Sequence, residues 1–182
     1  MPAVFDCFPE LKSVTDAREQ RYRADPTRRA PEGPQSSLEI KVTSTGHLNE
    51  KVDCRNSGKS FVISEPKHVG GLADAPTPLE YLLSGAVGCY AAVFAFYAAK
   101  MGVDYESFEA VARTNFDVRG HMMPDAPPSG FQKVTIAINV TSNAPPEKLR
   151  EIERLALKGC PGIATLRDPV RVETTLAVAL TA

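Results

Sequence analysis

The chain has 182 residues, of which 43% are hydrophobic and 24% charged, with 15 Pro and no Trp. That length and composition suit one soluble domain with its own core and exclude a chain disordered throughout or a second catalytic domain. Lys plus Arg number 21 against 22 Asp plus Glu, so a net charge of -1 supplies no field for gathering phosphates, and nucleic acid is not an expected partner.

Residues Met1 to Gln35 differ from the rest of the chain: prolines recur and the run AREQRYRADPTRR leaves few large apolar side chains. Residues 1–36 therefore read as an N-terminal arm on a domain spanning 37–182. Asp16 is placed to cap a short helix over Ala17 to Ala24, and the arm reads as either a solvated polar tail or a partner-binding segment. No basic stretch followed by an apolar one opens the chain, so a reducing cytoplasm is the expected location.

Leu38, Ile40 and Val42 alternate with Glu39, Lys41 and Thr43, the period of a half-buried strand. A second run, Ser60 to Glu65, comes after the turn signal Asn56-Ser57-Gly58, and the pair reads as an antiparallel ribbon. After a Pro- and Gly-containing loop, Thr77, Pro78 and Glu80 form a T-x-x-E capping box opening a helix over Pro78 to Met101, with Gly102 as its stop. Within it Tyr81 to Ala99 runs 19 residues without a charge. That approaches the roughly 20 needed to span a bilayer, but Ser84, Gly85, Gly88, Cys89 and many alanines weaken the transfer term, and the central helix of a soluble core reads the same way. Gly85, Gly88, Ala92, Ala95 and Ala99 form a small-residue stripe that admits another helix, so a homodimer burying this helix is expected and a membrane is not.

Phe108 to Val118 and Val134 to Val140 alternate as a second strand pair. Pro145 and Pro146 open an amphipathic helix ending at Gly159-Cys160-Pro161, and Val170 to Leu180 reads as a closing strand. The order is α+β with antiparallel sheet.

Phosphate-binding, dinucleotide, nucleophile-elbow and H-E-x-x-H motifs are absent, the three His are isolated, and no cysteine pair has zinc-ligand spacing. No metal or other cofactor is expected. The four cysteines, Cys7, Cys54, Cys89 and Cys160, are too scattered for a disulfide framework and read as individual thiols. Cys89, inside the apolar helix, and Cys160, at the end of the amphipathic one, read as buried small hydrophobes on residue type alone, and Cys7 and Cys54 as bystanders.

The run Pro76-Thr77-Pro78-Leu79-Glu80-Tyr81-Leu82-Leu83 leading to Cys89, with Cys160-Pro161 placed 71 residues later and Glu65-Pro66 to Gly70-Gly71 ahead of it, resembles the OsmC/Ohr family of osmotically inducible and organic hydroperoxide resistance proteins, on its OsmC-like branch. The resemblance covers about Leu38 to Leu180. It implies an intertwined homodimer with antiparallel sheets wrapped around long central helices, and a site at the subunit interface. It also implies that Cys89 is a peroxidatic thiol attacking a small organic or fatty hydroperoxide, that Cys160 resolves the sulfenic acid into a Cys89–Cys160 disulfide, and that an external dithiol restores both.

A thiolate needs a cation beside it. The resemblance assigns that task to an arginine from the early strands, for which Arg55 is the candidate here, held by a glutamate at the helix start. Arg113, Arg119 and His121 of a partner subunit are alternatives. In the family that glutamate directly follows the proline, where this chain has Leu79; Glu80 comes one residue later, about 180° from Cys89 around an ideal helix, where it also serves the capping box. Tyr81, Tyr90, Phe94, Phe96 and Tyr97 read as core or as the lining of an apolar pocket. Two further readings stand beside the peroxidase: a non-catalytic binding module for an apolar ligand, and a redox sensor that forms the same disulfide without turnover.

Overall fold

A computed structural model describes residues 8–25 and 36–179. In chain order the elements are α1 (Phe8–Ala24), β1 (Ile40–Gly46), β2 (Asn49–Cys54), β3 (Lys59–Ser64), α2 (Pro78–Lys100), β4 (Ser107–Phe116), β5 (Phe131–Thr141), α3 (Pro146–Gly159) and α4 (Pro161–Arg167). β1, β2 and β3 form one antiparallel sheet in that order, and β4 and β5 a two-stranded second sheet. Everything is arranged around α2, against which α1, β3, β4, α3 and α4 all pack.

Local chemistry sets the start of α2. Thr77 accepts the Glu80 N–H on its hydroxyl at 3.3 Å, and the Glu80 carboxylate accepts the Thr77 N–H at 2.7 Å and its hydroxyl at 2.8 Å. Two orphan donors of the first turn are satisfied reciprocally while Pro78, lacking an N–H, takes the first helical position. Replacing Thr77 with Ala is expected to cost about 1 kcal/mol in urea denaturation at neutral pH. These bonds, the Thr77 N–H foremost, hold the Glu80 carboxyl below the usual carboxylate range. The ionised carboxylate's share of the cap is therefore present above that range and lost as pH falls through it, so the Thr77→Ala difference narrows in acid.

α2 has 23 residues and an 18-residue stretch of mean hydropathy 1.7, enough to cross a membrane by length and composition. In this fold one side of it builds the core. Tyr90, Phe94, Ala98 and Ala99 are buried against Val103, Tyr105, Ile152, Ala156 and Ile163, with Phe108, Ile136, Ile138 and Val140 of the second sheet packed on that cluster. The register pairs Phe108 with Val140, Ala110 with Ile138 and Ala112 with Ile136, which puts the apolar alternation of both strands on the face toward α2. Phe61 of β3 meets Tyr81 at 4.6 Å between ring centroids, tying the first sheet to the N-terminal half of α2.

The loop from β3 to α2 is clamped. Ser64 donates to Asn49 Oδ1 at 2.7 Å and the Asn49 amide donates to Asp74 at 2.9 Å; both Ser64 and Asn49 are buried. The loop then folds back on the end of β3: the Gly71 N–H donates to the Pro66 carbonyl and the Ala73 N–H to the Glu65 carbonyl, each at 3.1 Å.

Four expectations are corrected. The arm carries a helix from Phe8, not a short one from Ala17; Asp16 lies inside it and pairs with Lys12 at 2.5 Å. This helix is not a solvated tail: Thr15 is buried, Leu11 packs on the core, and Glu19 pairs with Lys100 of α2. The first ribbon has three strands, because the chain reverses at Gly46-His47-Leu48, where His47 and Leu48 take φ of 51° and 54°. The segment 169–179 joins no strand ladder, and Val170, Val172, Leu176 and Val178 are exposed: a strand needs an edge to pair with, and this segment pairs with none in the single chain. Residues 180–182, like 1–7 and 26–35, lie outside the described residues, and with them the end of the expected closing strand and part of the expected arm.

Candidate active site

Ala86, Cys89, Tyr90, Val93, Phe94 and Tyr97 recur every three or four residues and so share one face of α2. Onto this face come α3 and α4. At the end of α3 a Cβ on Gly159 would lie 3.1 Å from the Tyr97 hydroxyl, and in the first turn of α4 a Cβ on Gly162 would lie 3.0 Å from Ala86 Cα and 3.1 Å from Cys89 Cβ. Two glycines thus let the α3–α4 junction press directly on α2. Cys160 sits at that junction in extended conformation and caps α4, its sulfur accepting the Ile163 N–H at 3.5 Å, with Pro161 at the first helical position.

The result brings together two thiols far apart in sequence. Cys89 lies against the first turn of α4, which Cys160 caps, close enough for its thiol to act on that of Cys160. Cys160 is fully buried and Cys89 half-buried. Burial foremost pushes the Cys160 thiol up, the Ile163 N–H pulls it down, and the hydrogen bond and charge of Cys89 push it up further. Cys160 is therefore held as a thiol at neutral pH, while Cys89 is the sulfur of the pair with access to solvent.

The other two candidate residues lie elsewhere. Arg55 pairs with Glu39 at 2.9 Å, both exposed, on the β1–β2 side of the first sheet. The Glu80 carboxylate is engaged in the cap with Thr77. Arg119 is paired with Asp117 in the β4–β5 connection. Tyr90 and Phe94 belong to the core, whereas Tyr81, Phe96 and Tyr97 are half-buried. Cys54 is a half-buried free thiol on β2, and Cys7 lies outside the described residues. No cluster of three or more His, Cys, Asp or Glu able to hold a metal occurs among the described residues.

Gly162, which sets the approach of α4, escapes a reading of the sequence, and Tyr90, expected as core or pocket lining, is core with its hydroxyl buried without a hydrogen-bond partner among the described residues. The juxtaposition of Cys160, Pro161 and Gly162, a cap, a first-turn proline and a residue without a side chain, is the signal that marks α4.

No curated protein matches the sequence. Among solved structures the chain is similar to an OsmC-like protein from Mycoplasma pneumoniae, with 17% identity over 74% of this chain and 89% of that one and a TM-score of 0.63. It is also similar to an organic hydroperoxide resistance protein OsmC from Legionella pneumophila, with 15% identity over 74% and 91% and a TM-score of 0.58. A third is an OsmC-like protein of unknown function from Vibrio cholerae, with 17% identity over 72% and 94% and a TM-score of 0.59. At these identities the likeness establishes the fold. The family described as OsmC-like protein matches residues 71–175, the stretch from the loop before α2 through Cys89, α3, Cys160 and α4 into the extended C-terminal segment. On that match, and with the mixed α+β architecture around one long helix in agreement, the chain belongs to the OsmC-like protein family.

Proposed function

We propose that the chain is a thiol-dependent peroxidase for organic hydroperoxides. The observation that carries this reading is the placement of half-buried Cys89 beside the α3–α4 junction that holds fully buried Cys160. The Cys89 thiolate attacks the distal peroxide oxygen; the O–O bond breaks, the alkoxide leaves as an alcohol after taking a proton, and Cys89 becomes a sulfenic acid. The Cys160 sulfur then attacks Cys89, the S–S bond forms, and hydroxide leaves as water with the proton that Cys160 gives up. An external dithiol reduces the disulfide. The neighbours of Cys89 on α2, Ala86, Tyr90 and Val93, are apolar and suit an organic substrate, and the Legionella pneumophila relative is named for organic hydroperoxide resistance.

The working unit on this reading is a homodimer. Gly85, Gly88 and Ala92 of α2 are exposed, a Cβ on either glycine would meet nothing within 4 Å, and Ile40, Val42, Val172 and Leu176 stand exposed on strand and segment edges. On this reading a second copy covers the exposed α2 residues and pairs with the unpaired segment, and the cation that Cys89 needs is assigned to it. Ala99, the last member of the small-residue stripe, is already buried within the chain. Sedimentation is expected to give twice the monomer mass; a monomer at all concentrations contradicts the dimer.

The engagement of Arg55 with Glu39 and of Glu80 with Thr77 favours a second reading, a redox sensor that forms the same disulfide without turnover. Dithiothreitol-driven consumption of cumene hydroperoxide separates them. Many equivalents consumed supports the peroxidase; a disulfide after one equivalent with no further loss supports the sensor; a persistent thiol at Cys89 with bound apolar ligand supports a binding module.

A further inference from the structure

Tyr90 follows Cys89 on α2 and is 1% exposed. Its ring packs toward Phe108 of β4 at 6.5 Å between centroids, and its hydroxyl finds no partner among the described residues. A buried hydroxyl left unpaired is costly, and Phe would fill the same space without that cost. Tyr90 belongs to the same buried cluster as Cys160, Ile152 and Ala156, where α3 packs on α2. The titratable groups whose charges act on it are Glu153 of α3 and Cys160, and β4 places the Phe108 ring against it. Burial foremost, then the charges of Glu153 and Cys160, push the phenol up to about 12, so it remains a donor at neutral pH.

The resolving step poses a problem at this spot. Cys160 must shed its proton in a buried site that disfavours its thiolate. We propose that Tyr90 is a catalytic residue of disulfide closure, its unspent O–H donating to the Cys160 sulfur as that sulfur loses its proton and attacks Cys89. The hydroxyl that is unpaired in the reduced protein is then paired when charge develops, which makes the interaction specific to the reacting state. The inference rests on the proposed peroxidase for its oxidant, but the closing reaction itself can be driven by another.

Diamide serves as that oxidant: the Cys89 thiolate adds across its N=N bond, and the Cys160 sulfur displaces the hydrazine to form the disulfide. Closure is followed by acid quench and mass analysis across neutral to alkaline pH for the wild type and Tyr90→Phe. The variant is expected to close about tenfold more slowly, with its pH midpoint about one unit higher, the same effect read two ways. With cumene hydroperoxide, its Cys89 sulfenic acid is expected to persist long enough for capture by dimedone. Its melting temperature is expected to equal or exceed that of the wild type, because an unpaired buried hydroxyl has been removed. Matching closure rates and pH profiles overturn the proposal, as does a lowered melting temperature with unaltered closure. If peroxide leaves Cys89 reduced while the diamide difference persists, the peroxidase reading falls and the role of Tyr90 stands.

Discussion

Cys160→Ser is expected to undergo one round of oxidation by cumene hydroperoxide and then to lose dithiol-driven turnover by about tenfold or more, with Cys89 passing to sulfinic acid as peroxide is added. The substitution isolates chemistry from folding. Serine is among the preferred helix caps, so its hydroxyl can accept the Ile163 N–H that the Cys160 sulfur now accepts at 3.5 Å, and α4 keeps its start. What disappears is the thiol at the α3–α4 junction that packs against Cys89. Cys54 lies on β2 in the first sheet, outside that contact. Wild-type turnover in Cys160→Ser would remove Cys160 from the mechanism.

Gly71→Ala is expected to cost about 3 kcal/mol or to prevent folding, as overpacking against rigid atoms does. A Cβ at this position would sit 1.9 Å from the Glu65 carbonyl oxygen, 2.3 Å from its carbon and 2.8 Å from its Cα, all backbone atoms of the residue that follows β3. No rotamer change relieves such a clash. The loop would have to lift away from Glu65, opening the Gly71 and Ala73 hydrogen bonds and straining the Ser64-Asn49-Asp74 chain beneath. Because this loop delivers the chain to Thr77, the register of α2 against β3 is disturbed as well. Urea denaturation measures the loss; a change below about 0.5 kcal/mol would show that the loop packs differently.

Legibility in the sequence tracks how local the determining chemistry is. The start of α2 is legible because Thr77, Pro78 and Glu80 act within one turn, and β4, β5 and α3 because their periodicities persist over ten residues or more. β2 is not, since Val52 is its one buried apolar residue, and the turn before it uses His47 and Leu48 in a left-handed conformation that such residues seldom adopt. The segment 169–179 carries a strand's alternation, but whether a strand forms depends on an edge supplied by another element. α1 buries little that its composition announces: Leu11 and Thr15 hold it to the core while its arginines stay in solvent. Cys89 and Cys160 stand out only through resemblance; their meeting depends on Gly162, a property of packing rather than of pattern.

The central claim is that Cys89 and Cys160 act as a pair. Fully reduced protein treated with about one equivalent of cumene hydroperoxide, quenched in acid and mapped by peptide mass, tests it most directly. The account predicts a Cys89–Cys160 disulfide formed with release of the alcohol, and Cys54 still reduced. A Cys89 that remains a thiol while the peroxide persists, or one oxidised without ever joining Cys160, contradicts it.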